Sequence, residues 1–156
     1  MRTIKEIIIT DSGDQYNSTP SLADLEFRYK DAGLLPVGGR YIPFHYIINN
    51  DGTSYGARSL FYPSRILQGH NLHSISVCLI GGMNNKLNEI TCSVEQYNTL
   101  YLTLYSLLLN YDLKPSSIRF VDERKYRSWF DSLFIDSLNS PLFNPLSFFK
   151  CGFETF

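Results

Sequence analysis

Cysteine, histidine, long apolar runs and blocks of like charge are all scarce in this chain, and each scarcity excludes something. Cysteine occurs three times, at Cys78, Cys92 and Cys151. The number is odd and no CxxC pair occurs, which argues against a disulfide framework or a zinc ribbon. Histidine occurs only at His45, His70 and His73. The start, MRTIKEIIITDSGD, holds an apolar run too short for a signal peptide, and no stretch reaches the about 20 residues of a membrane span. The chain is therefore expected to begin life in the cytoplasm, without a membrane partner. Lys and Arg number 14 against 15 Asp and Glu, with no basic block. Phosphate neutralisation supplies most non-specific nucleic-acid affinity, so nucleic acid is not an expected partner.

What is present suits one soluble domain. The 156 residues are 44% hydrophobic and 15% aromatic, enough to bury a core. Residues 4–10, IKEIIIT, predict a buried strand that ends at the turn-forming DSGD. Ser21 is placed to cap a helix with Asp24 three residues on, and Gly33 to stop it. PFHYIIN at 43–49 and a strand around 53–56 flank Asp51-Gly52, predicting a hairpin. SISVCLI at 74–80 reads as a further apolar strand. Ser93 and Gln96 predict a capping box opening a long helix. Its expected buried stripe is Val94, Tyr97, Tyr101, Leu104, Leu107 and Leu108. A strand at 118–121 and a partly helical stretch at 122–137 follow. The order predicts an α/β fold, a central mixed sheet flanked by helices.

Three local motifs carry a resemblance. IIITDSGD, PFHYIINNDGTSYGAR and above all GHNLHSISVCLIGG at 69–82 resemble segments of the type 2 N-acetylmuramoyl-L-alanine amidase family. That family includes amidase-type phage lysozymes and animal peptidoglycan recognition proteins. The match spans roughly residues 1–131, so residues 1–137 are read as one amidase-like domain. Residues 138–156 form an aromatic tail, packed on the domain or used for contacts.

The resemblance implies metal-assisted amide hydrolysis, with a zinc held by three protein ligands and one position left open for water. The matching positions of this chain hold other residues. Thr10 stands at the first ligand position and Val121 at the second, where Phe120 also replaces the family glycine. The third falls on Arg127, Ser128 or Trp129, depending on the gap. Phe44 stands for the assisting Tyr, and Ile66 for a further pocket His. The three histidines already coincide with family histidines. No zinc and no other cofactor is expected.

The candidate cleft is therefore Thr10, Asp11, Phe44, Arg65, Ile66, His70, Val121, Asp122, Arg127 and Trp129. Asp11, Asp122 and Glu123 adjoin the old ligand positions, which places them near its rim. Arg58, Arg65, Arg119, Arg124 and Arg127 suit an anionic ligand where they line the cleft, although solvent-facing positions are the default. Trp129, Phe130 and Phe120 either line the cleft or fill a core. His70 and His73 are read as backbone-bonding residues of a loop rather than a metal pair, His45 as a buried structural histidine, and Cys78 as a core thiol.

The expected function is that of a catalytically inactive amidase homologue, with a phage as its candidate source, that binds a muropeptide, another anionic compound or a protein. Two alternatives stand beside it. One is an active amidase with atypical zinc ligands. The other is a phage anti-defence protein that sequesters a small anionic signal.

Overall fold

The computed structural model describes residues 2–15, 18–83 and 90–139. The 138–156 tail lies almost wholly outside the described residues. The apolar run opens the fold as β1 (Glu6–Asp11), followed by the short β2 (Asp14–Gln15). Helix α1 (Leu22–Asp31) begins at Ser21, whose hydroxyl accepts from Asp24 N while Asp24 accepts from Ser21 N. The hairpin is β3 (Tyr46–Ile48) and β4 (Ser54–Gly56). β5 (Ser74–Leu79), β6 (Gly82–Met83), α2 (Val94–Asn110), β7 (Ile118–Phe120) and α3 (Glu123–Asn139) complete it. No helix of the described residues is long and apolar enough to cross a membrane.

Five strands form one mixed sheet in the order β4-β3-β5-β1-β7. Only the β3–β4 hairpin is antiparallel. The pleat divides β1 between two cores, because successive side chains point to opposite faces. Ile7 and Ile9 join Ile75, Val77, Ile118 and Phe120 beneath α2 and α3. The other face packs Ile47 and Cys78 with Leu25 of α1, Ile42 and Phe44. β5 is buried along its whole length, as a central parallel strand requires.

The α2 stripe differs from expectation at its first turn. Val94 is 71% exposed, while Leu100 is fully buried. The capping box is also only half formed. Ser93 accepts from Gln96 N at 3.0 Å, but the Gln96 amide turns inward. It donates to Ile48 O at 3.0 Å and Ile80 O at 2.9 Å. Those carbonyls lie at the ends of β3 and β5; Ile48 O also accepts from Ile80 N at 2.9 Å, so the amide gives it a second donor and supplies one to Ile80 O. A buried carbonyl without a donor is costly, so Gln96 serves the sheet rather than its own helix.

Candidate functional site

The parallel strands β1, β5, β3 and β7 end together at one edge of the sheet, the usual site for ligands in such folds. The Ile9–Phe120 pairing and the bond from Val121 N to Ile9 O (3.0 Å) put Val121 beside Thr10. Thr10 also pairs with Cys78, so all three face the α1 side. Thr10 Oγ1 donates to Asp11 O at 3.4 Å, and Val121 is 40% exposed. Phe44 is buried edge-on against Tyr29, with ring centroids 5.6 Å apart. Ile66 packs against the same cluster. The positions matched to the assisting Tyr and the pocket His therefore hold core side chains.

The remaining candidates separate from these by face. Asp11 points to the α3 side, one residue on from Thr10. Its Oδ2 accepts from Tyr126 Oη at 2.5 Å and lies 3.5 Å from Lys125 Nζ. Lys125 Nζ also donates to Gly82 O. Asp122 and Glu123 are both exposed and bond backbone amides. Asp122 Oδ1 accepts from Lys125 N at 3.1 Å, and Glu123 Oε1 from Phe120 N at 3.0 Å. Asp122 satisfies an amide in the first turn of α3, where helix starts leave donors orphaned, while Glu123 satisfies an outward amide of β7.

Arg127 is turned away from Thr10 as well. Its Nη2 donates to Ile118 O at 2.7 Å, while Nε holds Glu123 Oε2 at 2.9 Å and Nη1 holds Asp131 at 3.2 Å. β7 is the outermost strand, so Phe120 N and Ile118 O are its outward backbone groups. Glu123 and Arg127 thus occupy the place of a sixth strand. Trp129 packs on Tyr97 and Tyr126 at the α2–α3 core, and Phe120 stacks on Tyr126 there. Of the two readings for these aromatics, core filling is the observed one.

The histidines divide similarly. His45 is 1% exposed. Its Nδ1 accepts from Ser76 N at 3.0 Å, and its Nε2 lies 2.7 Å from Tyr62 O. Burial drives its pKa down to about 4, outweighing the bond to Tyr62, and the Arg2 and Arg58 charges push the same way. His73 bonds backbone, at Thr3 O. His70 instead meets a carboxylate, Glu6 Oε1, at 2.5 Å. Glu6 also pairs with Arg119. Burial alone would raise the Glu6 pKa, but the His70 and Arg119 bonds lower it below the usual range. Cys78 is fully buried, which pushes its thiol pKa well up and leaves it a packing group.

Residues not foreseen as important include Glu6, Lys125 and Arg2. Glu6 had a signal, being the polar member of an otherwise apolar strand. Arg2 had none. Its guanidinium gathers Leu60 O, Asn71 O, Leu72 O and Ser74 O, and so ties two loops to the start of the sheet.

A hollow lies in the connection before β5. Arg65, Ile66, Leu67, Gln68, Gly69, Asn71, Leu72 and His73 line a groove of about 670 Å³. Its curl is held by Asn71 Oδ1, which accepts from Ile66 N and Leu67 N, both at 3.0 Å. Among the described residues, no group of three His, Cys, Asp or Glu is placed to hold a metal.

No family model matches the chain. The endolysin of Enterobacteria phage T3 is 28% identical over 111 residues, 70% of either chain. The endolysin of Escherichia phage T7 is 33% identical over 85 residues, 54% of this chain and 53% of that one. Among solved structures, the N-acetylmuramoyl-L-alanine amidase LysCS of Clostridium intestinale URNW aligns with a TM-score of 0.59 at 18% identity. That alignment covers 80% of this chain and 73% of LysCS. The ectodomain complex of peptidoglycan recognition proteins LCa and LCx, with tracheal cytotoxin bound, gives 0.59 at 16% identity, over 80% and 74%. The mixed five-stranded sheet is thus the fold of these amidase and peptidoglycan recognition structures, and together with the three sequence motifs and the endolysin similarity it supports a relationship to the type 2 N-acetylmuramoyl-L-alanine amidase family.

Proposed function

We propose that this chain is a binding member of the amidase family, one that recognises a peptidoglycan fragment and does not hydrolyse it with zinc. The observation that carries the reading is the donor set at the strand ends. A zinc site needs three N, O or S ligands converging on one point. Val121 has no lone pair to offer. Thr10 has only a hydroxyl, already directed at a backbone carbonyl. Arg127 is cationic and braces the β7 edge, and Trp129 lies in the opposite core. The nearest carboxylate in sequence, Asp11, is engaged by Tyr126 and Lys125 on the other face. These residues do not fit a zinc ion, and no hydrolytic step follows from them.

Binding has separate support. The groove of about 670 Å³ is of a size that takes small-molecule ligands. Two similar proteins are named as endolysins, and a third, as a peptidoglycan recognition complex, was solved with tracheal cytotoxin bound. The ligand class is accordingly a muropeptide.

The test uses the full chain purified without added zinc. Elemental analysis gives its metal content, calorimetry its affinity for a muramyl tripeptide, and mass spectrometry any released peptide. The expected result is binding with zinc far below one equivalent and no release. Stoichiometric zinc with chelator-sensitive release of peptide would establish an amidase with atypical ligands. Absence of binding would remove the muropeptide reading.

A further inference from the structure

Two arginines flank the segment 42–44 on the α1 face. Arg58 donates its backbone N–H to Phe44 O at 3.1 Å, Nε to Ile42 O at 3.1 Å and Nη1 to Pro63 O at 2.9 Å. It is 4% exposed, and its buried Nη2 has no acceptor. Arg65 donates its backbone N–H to Pro43 O at 2.9 Å, and its side chain is exposed. Among the described residues, neither guanidinium has a carboxylate within ion-pairing distance, unlike Arg28, Arg119 and Arg127.

The surroundings leave this charge uncompensated. Burial lowers the Arg58 pKa, and the Arg65 charge lowers it further. Glu26 opposes both, but its carboxylate is held by Tyr41 N at 2.9 Å and Ile42 N at 3.4 Å. A buried guanidinium without a counter-ion is unusual, because the desolvation of its charge is not repaid by an ion pair. Arg65 lines both the 670 Å³ groove and a smaller cavity of about 180 Å³ shared with Gly33 and Leu34, just past α1. The guanidinium fork suits planar or tetrahedral oxyanions.

We propose that Arg65, with the buried charge of Arg58 behind it, forms a subsite for a compact oxyanion of the ligand, a carboxylate or a phosphate. The subsite rests on reading the groove as the place where ligand binds, and it deepens that reading by specifying the charge at one end. Direct contact falls to Arg65, because Arg58 Nη2 is closed to solvent. Arg58 contributes its field, which acts more strongly across a low-dielectric interior than it would through water.

Arg65→Gln leaves the buried network untouched, so the variant is expected to fold. Two measurements on the full chain test the subsite. The first follows the arginine Nε–H signals by NMR during titration with inorganic phosphate. The second compares, by calorimetry, a muramyl tripeptide bearing a free C-terminal carboxylate with its C-terminal amide. The expected result is a phosphate-dependent shift at Arg65 and affinity for the free acid roughly tenfold or more above the amide. Arg65→Gln should abolish both differences and leave affinity for the amide unchanged. A phosphate shift without tripeptide binding would keep the subsite, assign it to a phosphate ligand and defeat the muropeptide reading. Equal affinity for acid and amide with no phosphate shift would overturn the subsite and leave muropeptide recognition standing.

Discussion

His45 makes stability depend on pH in a window that few other groups share. The ring is 1% exposed and both nitrogens are committed. Nδ1 accepts from Ser76 N, so Nε2 carries the hydrogen and donates to Tyr62 O. Protonating Nδ1 would break the first bond and place a charge beside Arg2, whose Nη2 lies 3.3 Å from Nε2. The folded pKa is accordingly depressed to about 4, from an ordinary 6.5. The sign follows from the proton count. Between these values the unfolded chain binds the proton and the folded chain does not, so stability falls as pH falls. The His45 contribution is complete above about pH 6.5 and exhausted near pH 4. The full difference corresponds to roughly 3 kcal/mol, and about 2 kcal/mol of it is lost between pH 7.5 and 5. Glu6, Asp14 and Glu123 also have lowered values, but their contributions are lost only below the ordinary carboxylate range. Urea denaturation at a series of pH values from 7.5 to 5 reads the slope directly. His45→Gln should flatten it, whatever its own stability at neutral pH, while His73→Asn serves as a control. An unchanged slope in His45→Gln would refute the argument.

Two further outcomes follow from packing and from the sheet edge. Leu100→Ala should cost about 2–5 kcal/mol in chemical denaturation, since Leu100 is fully buried, while Val94→Ala at a 71% exposed position should stay within about 0.5 kcal/mol of the parent. Arg127→Ala should cost only about 1 kcal/mol, because its ion pairs with Glu123 and Asp131 are largely solvent-screened. The same variant unpairs Ile118 O on the outer edge of β7, so sedimentation should show concentration-dependent association absent from the parent. Monomeric behaviour at all concentrations would mean that α3 itself shields the edge.

The cores were legible because they rest on local periodicity. An apolar run bounded by DSGD specifies β1, and a serine followed by an acidic residue specifies the start of α1. The residues at the positions matched to the family's zinc ligands were legible too, since their identities need only sequence motifs. Their surroundings were not. Thr10 and Asp11 are neighbours in the chain, yet the pleat sends one to the α1 face and the other to Tyr126. Arg127 and Trp129 fall within the third ligand motif, yet helix α3 turns them to the β7 edge and the α2 core. Gln96 reads as a capping residue and instead serves two strand ends about 16 and 48 positions away in the chain.

The amino-acid sequence alone determined the element order, the two apolar faces of the sheet and the absence of histidines beyond His45, His70 and His73. These are properties of residue type and spacing along one dimension. Tertiary structure alone decided which charges are neutralised. Glu6 finds His70 and Arg119, and Asp14 finds Arg28, while Arg58 and Arg65 are brought to the 42–44 segment with no carboxylate within ion-pairing distance among the described residues. Ion pairing depends on distances of a few ångströms between distant parts of the chain, and burial sets how much each pair is worth. Neither quantity exists until the strands and loops have met.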